Sequence, residues 1–286
     1  ALSSAASDVY KRQVQTYAVK NLKKGIEFLE QQFGVKWDWD AFWKNAEMYN
    51  ESSRCMIEKW DVNCTEHPQV CGAALALQRE YEFMAAACMD KFMHKTDLRV
   101  TKMMLKGYEQ DKAANAPQPK YRCLVWACPA HYYTNFTYWT QHCWGVTCVN
   151  DMEAMLSYQP ITIGDKEQAL ADLVRCYEKM MMRSHTNGGY ANLLDECWKM
   201  CEKFHTNIVI MYDHVSCKNV GGLHGLFEDQ ARERGIHLIW IPHDVMDPRT
   251  VSRREMREAF SQYMVTVLNE KPLDPTLLDY EDALSW

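Results

Sequence analysis

Thr206-Asn207-Ile208-Val209-Ile210-Met211-Tyr212-Asp213-His214-Val215-Ser216-Cys217-Lys218 decides the fold. Asn207 to Tyr212 is a short apolar run rich in β-branched residues, the pattern of a buried strand. Gly221 and Gly222 follow and read as a turn that opens a helix. Leu223 to Arg234 has helical spacing, with Leu223, Leu226, Phe227 and Ala231 on one face and charges on the other. Ile236 to Ile241 is a second buried strand. Strand, helix and strand together form the unit of a parallel sheet. Open sheets of this kind take ligands at the carboxyl ends of their strands. Cys217 is expected there, just past the first strand. A helix N-terminus and Lys218 beside it favour the thiolate, the form that binds metal.

The same alternation extends upstream. Asn115-Ala116-Pro117-Gln118-Pro119-Lys120 is a linker, because its prolines block regular structure. Tyr121 to Ala127 reads as a strand, with Cys128 and Pro129 at its carboxyl end. Phe136 to Cys143 reads as a helix and Gly145 to Val149 as the next strand. Helices are expected over Lys166 to Met182 and Ala191 to Phe204, with Ser184 to Gly189 as a loop between them. Downstream, Ser252 and Glu255 have the spacing of a capping box for a last long helix. The expected fold class is α/β: a helical connecting region over 14–115, then a parallel-sheet, Rossmann-like three-layer domain over 121–286. Within 14–115, helices are expected over Val14 to Phe33, Ala73 to Met93 and Arg99 to Glu109. A further helix through Phe42, Ala46 and Tyr49 is expected to be capped by Asp40.

Composition narrows the function. A net charge of −6 over 286 residues gives no electrostatic support for nucleic-acid binding. No apolar run reaches the roughly 18 residues that a membrane helix needs. No basic-then-apolar signal segment is visible. Twelve cysteines without an export signal are expected to stay reduced in the cytoplasm. Their spacings fit no strong zinc pattern. Eight and then six residues separate Cys55, Cys64 and Cys71, and four lie within Cys123–Cys128 and within Cys143–Cys148. Cys128 stands apart because it falls at a strand's carboxyl rim, where a substrate pocket would form. His214, Ser216 and His243 fall at the same rim. Asp244 and Asp247 have two readings, a metal or acid/base pair and, favoured, turn residues that hold Arg249.

Asp213 to Lys218, then Gly235-Ile236 and Asp244 to Arg249, resemble the C-terminal core of the 2-hydroxyacyl-CoA dehydratase family. That family includes 2-hydroxyglutaryl-CoA and lactyl-CoA dehydratases and is related to benzoyl-CoA reductase subunits. The resemblance runs from about residue 14 to 286. Ala1 to Gln13 reads as a non-native or disordered start, and the rest as a C-terminal piece of a longer protein. Where relatives carry a Gly-x-Pro-like turn, this sequence has Ala127-Cys128-Pro129.

The resemblance implies a heterodimeric lyase. Each subunit would hold an iron–sulfur cluster, [4Fe-4S], through three cysteines, and Cys217 would be one of them. The other ligands would lie outside this sequence. An ATP-hydrolysing iron–sulfur activator would inject one electron into a CoA thioester, giving a ketyl radical that expels the 2-hydroxyl. A flavin in the complex is a further implied cofactor. Cys128, His214 and Ser216 are the candidate substrate-pocket residues. Two other readings stand beside this one: a non-catalytic electron-relay or scaffold subunit of a related acyl-CoA reductase complex, and a thiol redox or zinc protein.

Overall fold

The structure is a computed structural model that describes residues 2–72, 74–75, 91–152, 159–179 and 181–279. Among the described residues the chain begins with α1 (Leu2–Phe33), α2 (Trp39–Asn63) and α3 (Lys91–Ala114). Then come β1 (Tyr121–Trp126), α4 (Phe136–Trp144), β2 (Val146–Asp151), α5 (Lys166–Lys179) and α6 (Met181–Lys203). The chain continues through β3 (Ile208–His214), the single-turn α7 (Lys218–Gly221), α8 (His224–Arg234), β4 (His237–His243) and α9 (Arg253–Thr266).

The four strands form one sheet in the order β2-β1-β3-β4, and every pairing is parallel. Alternate side chains of each strand supply two cores. On one face Val125, Ile210, Tyr212 and Ile241 pack with Phe136 and Trp139 of α4 and Met256 and Phe260 of α9. On the other, Leu124, Trp126, Val209 and Met211 pack with Leu194 and Trp198 of α6 and Phe227 of α8. Strands buried on both faces read as continuous apolar runs, which is why Ile208 to Tyr212 does not alternate. The result is the three-layer, Rossmann-like α/β domain expected from the sequence.

Element ends depart from the sequence reading in informative ways. β3 runs two residues further than expected, through Asp213 and His214. Those polar residues still pair with Pro242 and His243 of β4, and the parallel ladder overrides their low strand propensity. Gly221 and Gly222 do not open α8. Gly221 ends the single-turn α7 and Gly222 follows it with φ −69°. A Cβ at Gly221 would meet Asp213 Oδ1 at an ordinary 3.7 Å, so neither conformation nor space demands glycine there. Asp38, not Asp40, caps α2, accepting from Ala41 N at 2.9 Å. Ser184 to Gly189 is helical rather than looped, with a break at Gly189 (φ 69°, ψ −172°) inside α6. The expected helix over Ala73 to Met93 lies mostly outside the described residues. The capping box forms: Ser252 Oγ accepts from Glu255 N, and Ser252 N donates to Glu255 Oε2 at 2.7 Å.

One joint docks the helical region on the sheet. The register of β1 on β2 slips between Cys123 and Leu124 and skips Val149. Asn63, buried at the end of α2, donates to the Val149 carbonyl at 2.9 Å and to Val70 O at 2.7 Å. Its Oδ1 accepts from Gln69 N and Val70 N. Arg122 of β1 donates to Asn63 O, to Thr65 O at 2.9 Å and to Phe204 O at 2.9 Å. The bulge leaves a backbone carbonyl out of register, and a side chain from another layer satisfies it. Asn63→Ala should therefore lower stability by about 3 kcal/mol, because several buried polar groups lose their partners. Lys23→Ala, which breaks the exposed bridge to Glu167, should change it by only a few tenths. Urea unfolding of both variants checks the contrast. Equal, small changes would show that the joint carries no weight.

Candidate functional site

The strand order reverses between β1 and β3. From β1 the chain goes outward to β2 through α4 on one face. From β3 it goes outward to β4 through α8 on the other face. The loops after β1 and β3 thus part in opposite directions, the arrangement that in open α/β sheets leaves a crevice at the carboxyl edge. Cys128 lies on one wall. Ser216 and Cys217 lie on the other, with the end of β4 beside them.

The β1 wall starts with a strained residue. Ala127 has φ 67°, the left-handed region that favours glycine. Here alanine takes the conformation a Gly-x-Pro turn would give to glycine, at about 1–2 kcal/mol. Cys128 follows, half-buried, with Sγ 3.8 Å from His131 Nε2. His131 N donates to Val245 O at 2.9 Å, which ties this loop to the segment after β4.

The β3 wall is a tight turn. Cys217 N donates to His214 O at 2.9 Å, and Cys217 then caps α7 in an extended conformation. Val215 N donates to His243 O at 3.1 Å, extending the ladder beyond the strand. His214 Nδ1 lies 3.1 Å from Ser216 N and 3.0 Å from Ser216 Oγ. Cys217 is half-buried, and no hydrogen bond to its thiol is found among the described residues. Asp213 faces His224, 3.3 Å away, which stacks on Trp240 at 3.5 Å between ring centres.

Behind this turn lies His243, fully buried. Its ring stands edge-on to His214 at 5.4 Å and to Tyr212 at 5.0 Å. Neither ring nitrogen completes a hydrogen bond. Backbone groups of Cys128 and Asp213 approach it without reaching that geometry. Burial pushes its pKa down to about 4, and the neighbouring His214 pushes the same way. His243 is thus structural in burial but not in hydrogen bonding. Asp244 Oδ1 accepts from Met246 N and Asp247 N, both at 2.9 Å, and these bonds hold its carboxyl below the usual range. Asp247 holds Arg249 at 2.6 Å, as the turn reading expected.

The metal readings can be weighed on this geometry. Among the described residues, no three of His, Cys, Asp and Glu lie together as a metal site. Cys123 and Cys148 are buried neighbours on paired strands. Desolvation raises Cys123 and Cys71 well above the ordinary thiol range, which keeps them protonated. At the crevice, Cys217 can offer one corner of a cluster and no more. A groove of about 600 Å³ exists at the opposite, amino edge, lined by Trp198, Lys199, His205 and Arg234 among others. Its Arg234 already lies over the Trp198 ring, 5.2 Å from its centre, and donates to Gln230 O. The chemistry-bearing residues sit at the other end of the strands.

The fold is that of a doubly wound α/β protein whose strand order reverses between β1 and β3. Its sequence matches the family described as 2-hydroxyglutaryl-CoA dehydratase, D-component, over residues 7–264, and the chain belongs to that family. Comparison with curated proteins returns no match. Among the described residues, no helix is long and apolar enough to cross a membrane.

Three of the four site residues read from sequence, His214, Ser216 and Cys217, share one turn, and Cys128 faces them across the reversal. The sequence gives His131 no role and Asp244 either a turn or a metal or acid/base role. His131 carries no local signal, whereas Asp244 directly follows β4. Buried neutral His243 has a consequence for acid stability. The unfolded imidazole titrates near 6.5 and the folded one near 4, so the unfolded state binds more protons between those values. Stability should be full above pH 6.5 and fall on acidification toward pH 4, with this residue contributing roughly 3 kcal/mol of the loss. Urea midpoints from pH 7.5 to 4 should fall less steeply for His243→Leu. Parallel curves for the two proteins would contradict a buried neutral His243.

Proposed function

We propose that this chain is the component of an oxygen-sensitive iron–sulfur 2-hydroxyacyl-CoA dehydratase that offers Cys217 to a [4Fe-4S] cluster. The observation that carries the reading is the position of Cys217. It is a half-buried thiol at the strand-order reversal, next to polar side chains and away from the packed cores. The remaining ligands come from outside the described residues. A second dehydratase subunit and an ATP-dependent activator complete the system, in the cytoplasm, where thiols stay reduced. When bound, the cluster supplies one electron to the thioester carbonyl, which makes loss of the 2-hydroxyl feasible.

The chain's own residues shape that event. The turn from His214 to Cys217, closed by the Cys217 N–H to His214 O bond, fixes where the thiol points. Ser216 presents a hydroxyl and His214 a ring edge beside it. Cys128 and Pro129 form the facing wall, held by the His131 N to Val245 O bond. Neutral His243 packs behind the site and keeps water out without adding a charge.

Cys217→Ser in the full-length protein, purified without oxygen, tests the assignment. Iron and acid-labile sulfide should fall together, and turnover of a 2-hydroxyacyl-CoA with activator and ATP should be lost. The melting temperature of the metal-free protein should move by only about 2 °C, since a rim thiol contributes little packing. A destabilised variant with its iron intact would overturn the ligand role. Zinc without sulfide in the native protein would favour a thiol or zinc protein, and iron without turnover an electron-relay or scaffold subunit.

A further inference from the structure

We propose that His214 and Asp244 form a clamp for a hydroxyl group and that, on the dehydratase reading, its guest is the 2-hydroxyl of the acyl-CoA. The clamp is built from two groups whose hydrogen-bonding roles are fixed by their other contacts.

The first is the His214 ring. A backbone N–H can only donate, so the Ser216 N–H at 3.1 Å requires a lone pair on His214 Nδ1. The ring proton therefore sits on Nε2. His214 presents a hydrogen-bond donor to the crevice, not an acceptor. The edge-on His243 ring behind it restrains its tilt.

The second is the Asp244 carboxylate. Its Oδ1 is taken by the N–H groups of Met246 and Asp247. These bonds lower its pKa, so the group stays ionised. The other oxygen, Oδ2, faces His214 Nε2. It is an acceptor only.

Donor and acceptor stand 4.0 Å apart, too far for a direct hydrogen bond. A hydroxyl oxygen placed about 2.8 Å from each spans that gap, accepting from Nε2–H and donating to Oδ2. A hydroxyl both donates and accepts, and so satisfies both sides. A carbonyl can only accept, and an ammonium can only donate. About a fifth of each side chain is exposed, so the pair is reachable by a ligand. Three residues separate His214 from Cys217, and the His214 carbonyl holds the Cys217 N–H. A hydroxyl in the clamp thus lies on the same wall of the crevice as the thiol.

The test is binding without turnover. The full-length protein, without activator or reductant, is titrated in a calorimeter with 2-hydroxyglutaryl-CoA and glutaryl-CoA, and with lactyl-CoA and propionyl-CoA. A site built around a hydroxyl rejects the analogue that lacks it, so at least one hydroxylated member should bind about tenfold or more tightly than its partner. Asp244→Asn keeps an Oδ1 for the turn but places an NH2 opposite His214. It should reduce the ratio to near one by weakening only the hydroxylated ligand. His214→Phe keeps the ring against His243 and should do the same, with the exposed Ser216 N–H passing to water. The nitrogen NMR spectrum of histidine-labelled protein should show the His214 proton on Nε2. An unchanged ratio in both folded variants, or a proton on Nδ1, would overturn the clamp and leave the dehydratase reading standing. If none of the four thioesters binds, the dehydratase reading fails and the clamp's substrate fails with it.

Discussion

The parallel pairing of β1 with β3 is the constraint on which the rest of the molecule depends. β1 is the partner of both β2 and β3, yet its following helix lies on the face opposite the helix that follows β3. Right-handed crossovers leave no other way to grow the sheet in both directions. Burial on two faces then follows. Residues such as Val125 and Ile210 serve one core, and Leu124 and Val209 the other. The crevice at the carboxyl edge is a by-product of the same reversal. The loops after β1 and β3 cannot cover each other, because each must turn to its own side.

Two residues on that rim are held in unfavourable states. Ala127 takes a conformation better suited to glycine, and His243 is buried without a completed hydrogen bond. Each is disfavoured by about a kcal/mol or more, and each is held by the packing below. The amino edge has a groove where His205 also takes a positive φ, but its arginine is already engaged by a tryptophan and a carbonyl.

Much of this was legible in the sequence, because apolar runs such as Ile208 to Tyr212 and the period of Leu223 to Ala231 report burial directly. The family-bearing turn from Asp213 to Lys218 was legible too, since it is contiguous. Other features depend on distant partners. The extra length of β3 comes from pairing with β4, so no local pattern at Asp213 and His214 announces it. The pair of glycines looked like a required turn, yet neither adopts a positive φ. Asn63 reads as one more helical residue, although it satisfies a carbonyl exposed by a bulge in β2, far along the chain. His131 is tied to the segment after β4 by a backbone bond, which spacing does not encode.

The central claim is that the carboxyl edge at the β1/β3 reversal is the ligand face of this dehydratase component. Amide hydrogen exchange of the full-length protein, with and without 2-hydroxyglutaryl-CoA, addresses it most directly. Bound thioester should slow exchange in residues 127–132, 213–222 and 243–249, and leave 195–206 and 234–236 unchanged. Protection confined to 195–206 and 234–236 would place the ligand in the groove at the amino edge and contradict the account.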